Sequence, residues 1–218
     1  MTLREAAELT LHATAPVREA LHGRFPVGPL LAPYTKAHWH TVVPGEPVEL
    51  AGGLVAEALA LGGKRPRYAA DPPAPPTLAA LPAGEPSPER TDWVVGYRFT
   101  EAGGRATAVY APGLAEWTPA VDRAVADADV VILDGTFATD DELAERTGGA
   151  RTSRGMGHLA VADSLPHLAR RPGPRYLYTH LNNTNPLAHR GSPEAAALAP
   201  ALAAAGAAVA EDGTLLAL

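Results

Sequence analysis

Asp134, His158 and His180 are the side chains on which chemistry could turn in this 218-residue chain. Asp134 ends the apolar run DVVILD and is followed by Gly135, Thr136 and Phe137. A carboxylate leaving the end of a buried strand is placed to take a metal or a proton, although Asp at such a point also caps turns. His158 stands in RGMGHLA behind Gly155 and Gly157. Glycines let backbone approach a ligand closely, and a neutral imidazole there can orient a neighbour or shuttle a proton. The plainer role for His158 is a local hydrogen bond at a helix start. His180 ends RYLYTH and precedes LNNTNP. Imidazole suits zinc or iron. Asn182, Asn183, Thr184 and Asn185 could orient that imidazole, bind substrate, or hold the turn before Pro186.

His38 and His40 flank Trp39, and an H-x-H pair in a strand puts both rings on one face. Chelation is open to them, but a substrate-facing or surface pair is the more ordinary arrangement. His12, His22, His167 and His189 join no constellation. The sequence holds neither GxSxG nor HExxH, and neither GxxxxGK[ST] nor GxGxxG. Serine-nucleophile and nucleotide-fold readings therefore have no motif behind them.

Positioning these side chains falls to alternating strands and helices. The spacing predicts strands over 9–13, 93–99, 105–111, 129–134 and 175–180, with a glycine turn at 103–104 making a hairpin of the second and third. The run 129–134 is apolar enough for a strand covered on both faces. Helices are expected over 15–23, behind an N-cap at Thr14, and over 115–127, 159–170 and 193–206. Thr139 and Glu142 have the spacing of a capping box that opens one more. Residues 47–61 read as two strands around Gly52 and Gly53, with a helix as the alternative for 54–61 because Ala and Leu favour it. Residues 24–46 are broken by Pro and Gly. The proline-rich stretch 71–90 reads as a loop, and two short strands close the chain around Asp212-Gly213. The pattern is α/β and layered.

Composition narrows the function classes. Cysteine is absent, which removes disulfide scaffolds, zinc fingers and a cysteine nucleophile, but leaves a His/Asp metal site open. The net charge of -6 argues against a phosphate-tracking, nucleic-acid-binding surface. No apolar run reaches the roughly 20 residues of a membrane span, and Arg4, Glu5 and Glu8 interrupt the start, so a cytoplasmic location is expected.

VILDGTF, SRGMGHLA and YLYTHLNNTNPL, in that order, resemble the C-terminal half of the coenzyme PQQ synthesis protein B family. LTLHATAPVREAL, GKRPRY, VGYRF and VYAPGL extend the resemblance from about residue 3 to residue 218. The resemblance implies one domain over 1–218, an αββα sandwich of the metallo-β-lactamase type with its site at one edge between the sheets. It implies that Asp134 borders the metal, that His180 is a ligand and that His158 supports them. The mid-chain ligand histidine of the wider superfamily is unmatched, and Lys64, Arg65 and Arg67 stand in that region instead. The histidine-rich segment and cysteine cluster that precede this region in the family are unmatched too. The fold is therefore expected to lack its first strands. Iron or zinc is expected for a full-length form, and weak or absent metal binding for this chain, with a bared sheet edge favouring homo-oligomers.

The function implied by the resemblance is pyrroloquinoline quinone (PQQ) biosynthesis. The chain would act on the Glu–Tyr-derived quinone precursor by metal-dependent oxygenation, or in transport of PQQ or its precursor. His158 and Asp134 would be the catalytic pair, His180 and Asp134 the metal ligands, and Asn182, Asn183, Thr184 and Asn185 the substrate-binding run. Other PQQ-pathway proteins are the expected partners. Two rival readings use the same fold: a metal-dependent hydrolase of a phosphodiester or ester, and a non-catalytic carrier with a lost metal.

Overall fold

The computed structural model describes residues 7–69, 92–104 and 106–216; the expected loop at 71–90 lies outside them. The chain opens with β1 (Glu8–Ala13), α1 (Ala15–His22), α2 (Val27–Leu31) and β2 (Lys36–Thr41). β1 and β2 form a two-stranded parallel sheet in register from Glu8 against Lys36 to Ala13 against Thr41. Thr14 sits at the N-cap of α1, but its hydroxyl donates to the Asp92 carbonyl across 2.7 Å rather than capping the helix. That bond ties the small layer to the segment leading into the large one.

The large sheet has seven strands in sequence order: β3 (Pro47–Leu50), β4 (Leu54–Gly62), β5 (Val94–Glu101), β6 (Thr107–Ala111), β7 (Val130–Asp134), β8 (Arg175–Thr179) and β9 (Ala207–Val209). Pairing is antiparallel from β3 to β6 and parallel from β6 to β9. Parallel neighbours need crossovers, and helices supply them. α3 (Pro119–Ala126) joins β6 to β7, and α4 (Glu142–Thr147), α5 (Ser153–Met156) and α6 (Val161–Ala169) join β7 to β8. α7 (Pro193–Ala204) joins β8 to β9.

Strand alternation sorts the side chains into layers. Leu59, Val109, Val131, Leu133, Tyr176 and Tyr178 face one way and form a core with Val121 and Val125 of α3, Leu165 and Leu168 of α6, and Leu202 of α7. Gly96 lies in this row because a Cβ there would stand 2.6 Å from the Tyr110 carbonyl oxygen and 2.9 Å from Leu61 Cδ1. Across the other face, His12 of β1 lines a cleft of about 210 Å³ with Val48, Leu50, Ala56, Tyr97 and Phe99. The outer face of β2 turns to α1, where Trp39 meets His22 edge to face at 4.6 Å. The order is helix, sheet, sheet, helix, with the first sheet only two strands wide among the described residues.

The two strands expected around Gly52 and Gly53 form, and the helical alternative for 54–61 does not, because pairing on both sides with β3 and β5 overrides the helical preference of Ala and Leu. Other local expectations are corrected. The broken stretch 24–46 contains α2 and β2. β2 was hidden because its partner β1 is distant in sequence and its histidines blur the alternation. The capping box does not form: α4 starts at Glu142, whose carboxylate accepts from Ala138 N–H across 2.6 Å instead. Only 207–209 is a strand at the C-terminal end of the described chain.

Candidate metal centre

β7 and β8 are parallel neighbours in which Asp134 pairs with Thr179, so their C-terminal ends deliver Asp134 and His180 to the same edge. The two ends come together tightly. Gly135 N–H donates to the Thr179 carbonyl across 2.8 Å. A Cβ on Gly135 would stand 2.8 Å from that same oxygen and 2.8 Å from Leu181 Cδ2. His180 lies one residue beyond β8 and adopts φ 59°, the only non-glycine left-handed residue among those described. Such a conformation is strained, and strain of this kind gathers at functional sites.

His158 arrives from the third direction. Thr152 caps α5 at its start by accepting from Gly155 N–H, and Gly157 ends it at φ 88°, a backbone state suited to glycine. Ser153 Oγ donates to the His158 carbonyl across 2.8 Å, and Leu159 N–H donates to the Leu114 carbonyl across 2.6 Å. These bonds fix the imidazole over the end of β7.

Asp134, His158 and His180 each offer a donor atom within 4.8 Å of the others. The Asp134 side chain is 1% exposed, His158 19% and His180 55%, so the group opens to solvent on the His180 side. His158 Nδ1 lies 2.7 Å from Asp134 Oδ2. Thr136 Oγ1 lies 2.5 Å from Asp134 Oδ1, 2.9 Å from His180 Nδ1 and 3.1 Å from His158 Nδ1. An ionised carboxylate only accepts, so His158 Nδ1 carries a proton and donates it to Asp134. Thr136 has a single hydroxyl proton, which goes to Asp134 at the shortest contact. Its lone pairs then accept from His180 Nδ1–H. Both imidazoles thereby spend Nδ1–H on these bonds and keep Nε2 clear of them, as supporting groups do around metal-bound histidines.

The sequence reading counted two metal ligands and expected weak binding or none. The fold sets His158 within 4.8 Å of both, so three donor atoms of types that suit zinc or iron stand together. The sequence reading also missed Thr136, whose signal was its place two residues after Asp134, and Glu142, read there only as a cap.

The Asn run divides. Asn185 is fully buried: its Nδ2 donates to the Gly135 carbonyl across 2.7 Å and its Oδ1 accepts from Leu187 N–H. It braces the loop and does not face a substrate in this conformation. Asn182 Nδ2 donates to Thr184 Oγ1, which donates to the buried carboxylate of Glu142, each across 2.7 Å. Asn183 is exposed, and His189 Nε2 donates to its carbonyl across 2.6 Å. Asn182, Asn183 and Thr184 thus stand beside His180, with Asn183 the most open of them.

The other histidines stay apart from this group. His40 stacks on His12 at 5.1 Å, His38 lies 3.4 Å from Glu8, and His167 stacks on Trp117. No helix among the described residues is long and apolar enough to cross a membrane.

The chain is 35% identical over 91% of its length to coenzyme PQQ synthesis protein B of Pseudomonas syringae pv. syringae, and covers 63% of that protein. It is 33% identical over 91% of its length to the protein of that name from Cupriavidus necator, again covering 63% of it. The chain therefore spans less than two thirds of these relatives. Zn(2+)-bound PqqB from Methylobacterium extorquens superposes with a TM-score of 0.77 at 29% identity, covering 100% of this chain and 67% of the other. A β-lactamase superfamily domain model matches residues 1–181, most of the chain and all of the Asp134, His158 and His180 group, and the chain belongs to that family, with its metallo-β-lactamase fold.

Proposed function

We propose that this chain acts in PQQ biosynthesis, oxygenating the Glu–Tyr-derived quinone precursor at a metal held by Asp134, His158 and His180. The similarity to PQQ synthesis proteins supports the pathway. The observation that carries the reading is the convergence of those three donors at one solvent-open edge.

Oxygenation of a phenol ring replaces a ring C–H by C–OH. One atom of dioxygen enters the ring and the other leaves as water, which takes two electrons and two protons from an added small-molecule reductant. Iron, when bound, would supply the redox chemistry that this requires. The chain's own residues do the rest. Asp134 sets the His158 imidazole directly and the His180 imidazole through Thr136. The Asp134–His158 pair, 2.7 Å apart, holds a proton at Nδ1. Asn182 and Asn183 offer amides to a polar substrate at the open side.

The test loads the purified chain with Fe(II) or Zn(II) and supplies precursor peptide, dioxygen and ascorbate, with products read by mass spectrometry. Gain of one oxygen atom with iron and none with redox-inert zinc is expected. His180→Ala should abolish it. Equal turnover by His180→Ala, or hydrolysis with zinc, overturns the reading; binding of the precursor without turnover replaces it with a carrier role.

A further inference from the structure

The end of β4 runs into Gly62, Gly63, Lys64, Arg65, Pro66 and Arg67, and the backbone holds this segment against the His158 loop. Ala115 N–H donates to the Leu61 carbonyl across 3.1 Å, and Leu159 N–H to the adjoining Leu114 carbonyl. Lys64 Nζ donates to the Gly155 carbonyl across 3.2 Å. Its stem crosses Gly157 so closely that a Cβ there would stand 3.0 Å from Lys64 Cδ. This cation is thus fixed beside the residue preceding His158.

Its charged surroundings are of one sign. Burial, Arg151 and Arg67, in that order, lower the Lys64 pKa. Lys64, Arg67 and Arg151 are exposed, and none of them is paired with a carboxylate among the described residues. Nearby Arg154 differs, since Asp163 neutralises it at 2.9 Å. Cations gathered without counter-charge in an acidic protein repel one another. That repulsion is relieved by an anion, and guanidinium forks match carboxylates in geometry.

We infer that Lys64, Arg67 and Arg151 form a carboxylate-binding rim beside the Asp134–His158–His180 group, which grips the carboxylates of a polycarboxylate substrate. The inference rests on the proposed function for the neighbouring centre, but its test does not require turnover. PQQ is itself a tricarboxylate and serves as the probe, titrated into the metal-free chain by absorbance, with its trimethyl ester as the uncharged control. The triple variant Lys64→Gln/Arg67→Gln/Arg151→Gln should bind PQQ at least roughly tenfold more weakly and with a shallower salt dependence, while the ester is unaffected. The double variant Arg67→Gln/Arg151→Gln keeps the Lys64 bond to Gly155, and so the loop, and should show an intermediate loss. Zinc titration of the double variant reads the metal centre separately and should be unchanged.

Unchanged PQQ affinity in the variants, or equal affinity for PQQ and its ester, overturns the rim. Displacement of PQQ by inorganic phosphate as effective as displacement by citrate overturns its assignment to carboxylates. Either result leaves the proposed function standing if oxygenation persists. Loss of oxygenation with the rim's PQQ binding intact removes the proposed function alone.

Discussion

At the scale of single residues, the hydroxyl of Thr136 is the hub of the site. It touches Asp134 and the Nδ1 atoms of both histidines within 3.1 Å, while Thr136 itself is buried. Thr136→Val keeps the shape and removes that hub. His180 Nδ1 then loses its acceptor, and its ring is free to present either nitrogen. Loss of such supporting bonds costs about 10–100-fold in metal affinity in other sites, and that range is expected here for zinc by isothermal titration. Thr136→Ser should restore most of it, because the hydroxyl returns. Wild-type zinc affinity in Thr136→Val would remove the orienting role. Asp134 presents the complementary case: its carboxylate is already occupied on both oxygens, so Asp134→Asn should disturb both rings at once and weaken metal binding further than Thr136→Val. An amide can offer a proton donor where His158 Nδ1–H needs an acceptor.

At the scale of elements, the site depends on two parallel strand ends meeting without a side chain between them. Gly135→Ala would place a Cβ 2.8 Å from the Thr179 carbonyl oxygen and 2.8 Å from Leu181 Cδ2. The oxygen is backbone and cannot swing aside. Prising β7 from β8 at this point is expected to cost about 1–3 kcal/mol of stability in chemical denaturation, and to weaken zinc binding because His180 moves with Thr179. Stability and zinc affinity both equal to wild type would show that the strand ends have room to separate. This contact also marks what could be read from the sequence. The apolar run ending at Asp134 and the strand leading to His180 were legible, because a strand buried on both faces leaves an unbroken hydrophobic signature. Their convergence was legible through family resemblance. The left-handed turn at His180 was not, since it arises from backbone geometry that no residue pattern encodes; the brace made by Asn185 was only one of the roles its run allowed, holding the turn before Pro186. Glu142 looked like a cap because capping spacing is local. Its actual bonds run to Ala138 N–H, four residues before it, and to Thr184 Oγ1, 42 residues further on.

At the scale of the whole molecule, the two sheets are unequal in ways that should separate their stabilities. β7 and β8 are mostly buried and paired on both sides, whereas β1 and β2 are half-exposed strands that pair only with each other among the described residues. An isolated two-stranded sheet is marginal in water, so the small layer relies on α1, α2 and ties such as Thr14 to Asp92. Native-state hydrogen exchange is expected to show amides of β1 and β2 opening at least about 2 kcal/mol below those of β7 and β8. The metal centre is carried by the ends of β7 and β8, in the large sheet, and by the loop after α5. Zinc at about 100 times its dissociation constant should therefore add about 2.7 kcal/mol to the amides that exchange only through global unfolding, those of β7 and β8 among them. It should leave the sub-global opening of β1 and β2 unchanged, because that opening does not dismantle the site. Equal protection of both sheets without metal would make the four layers one cooperative unit. Protection of β1 and β2 by zinc would show that the small sheet closes over the metal centre and belongs to it.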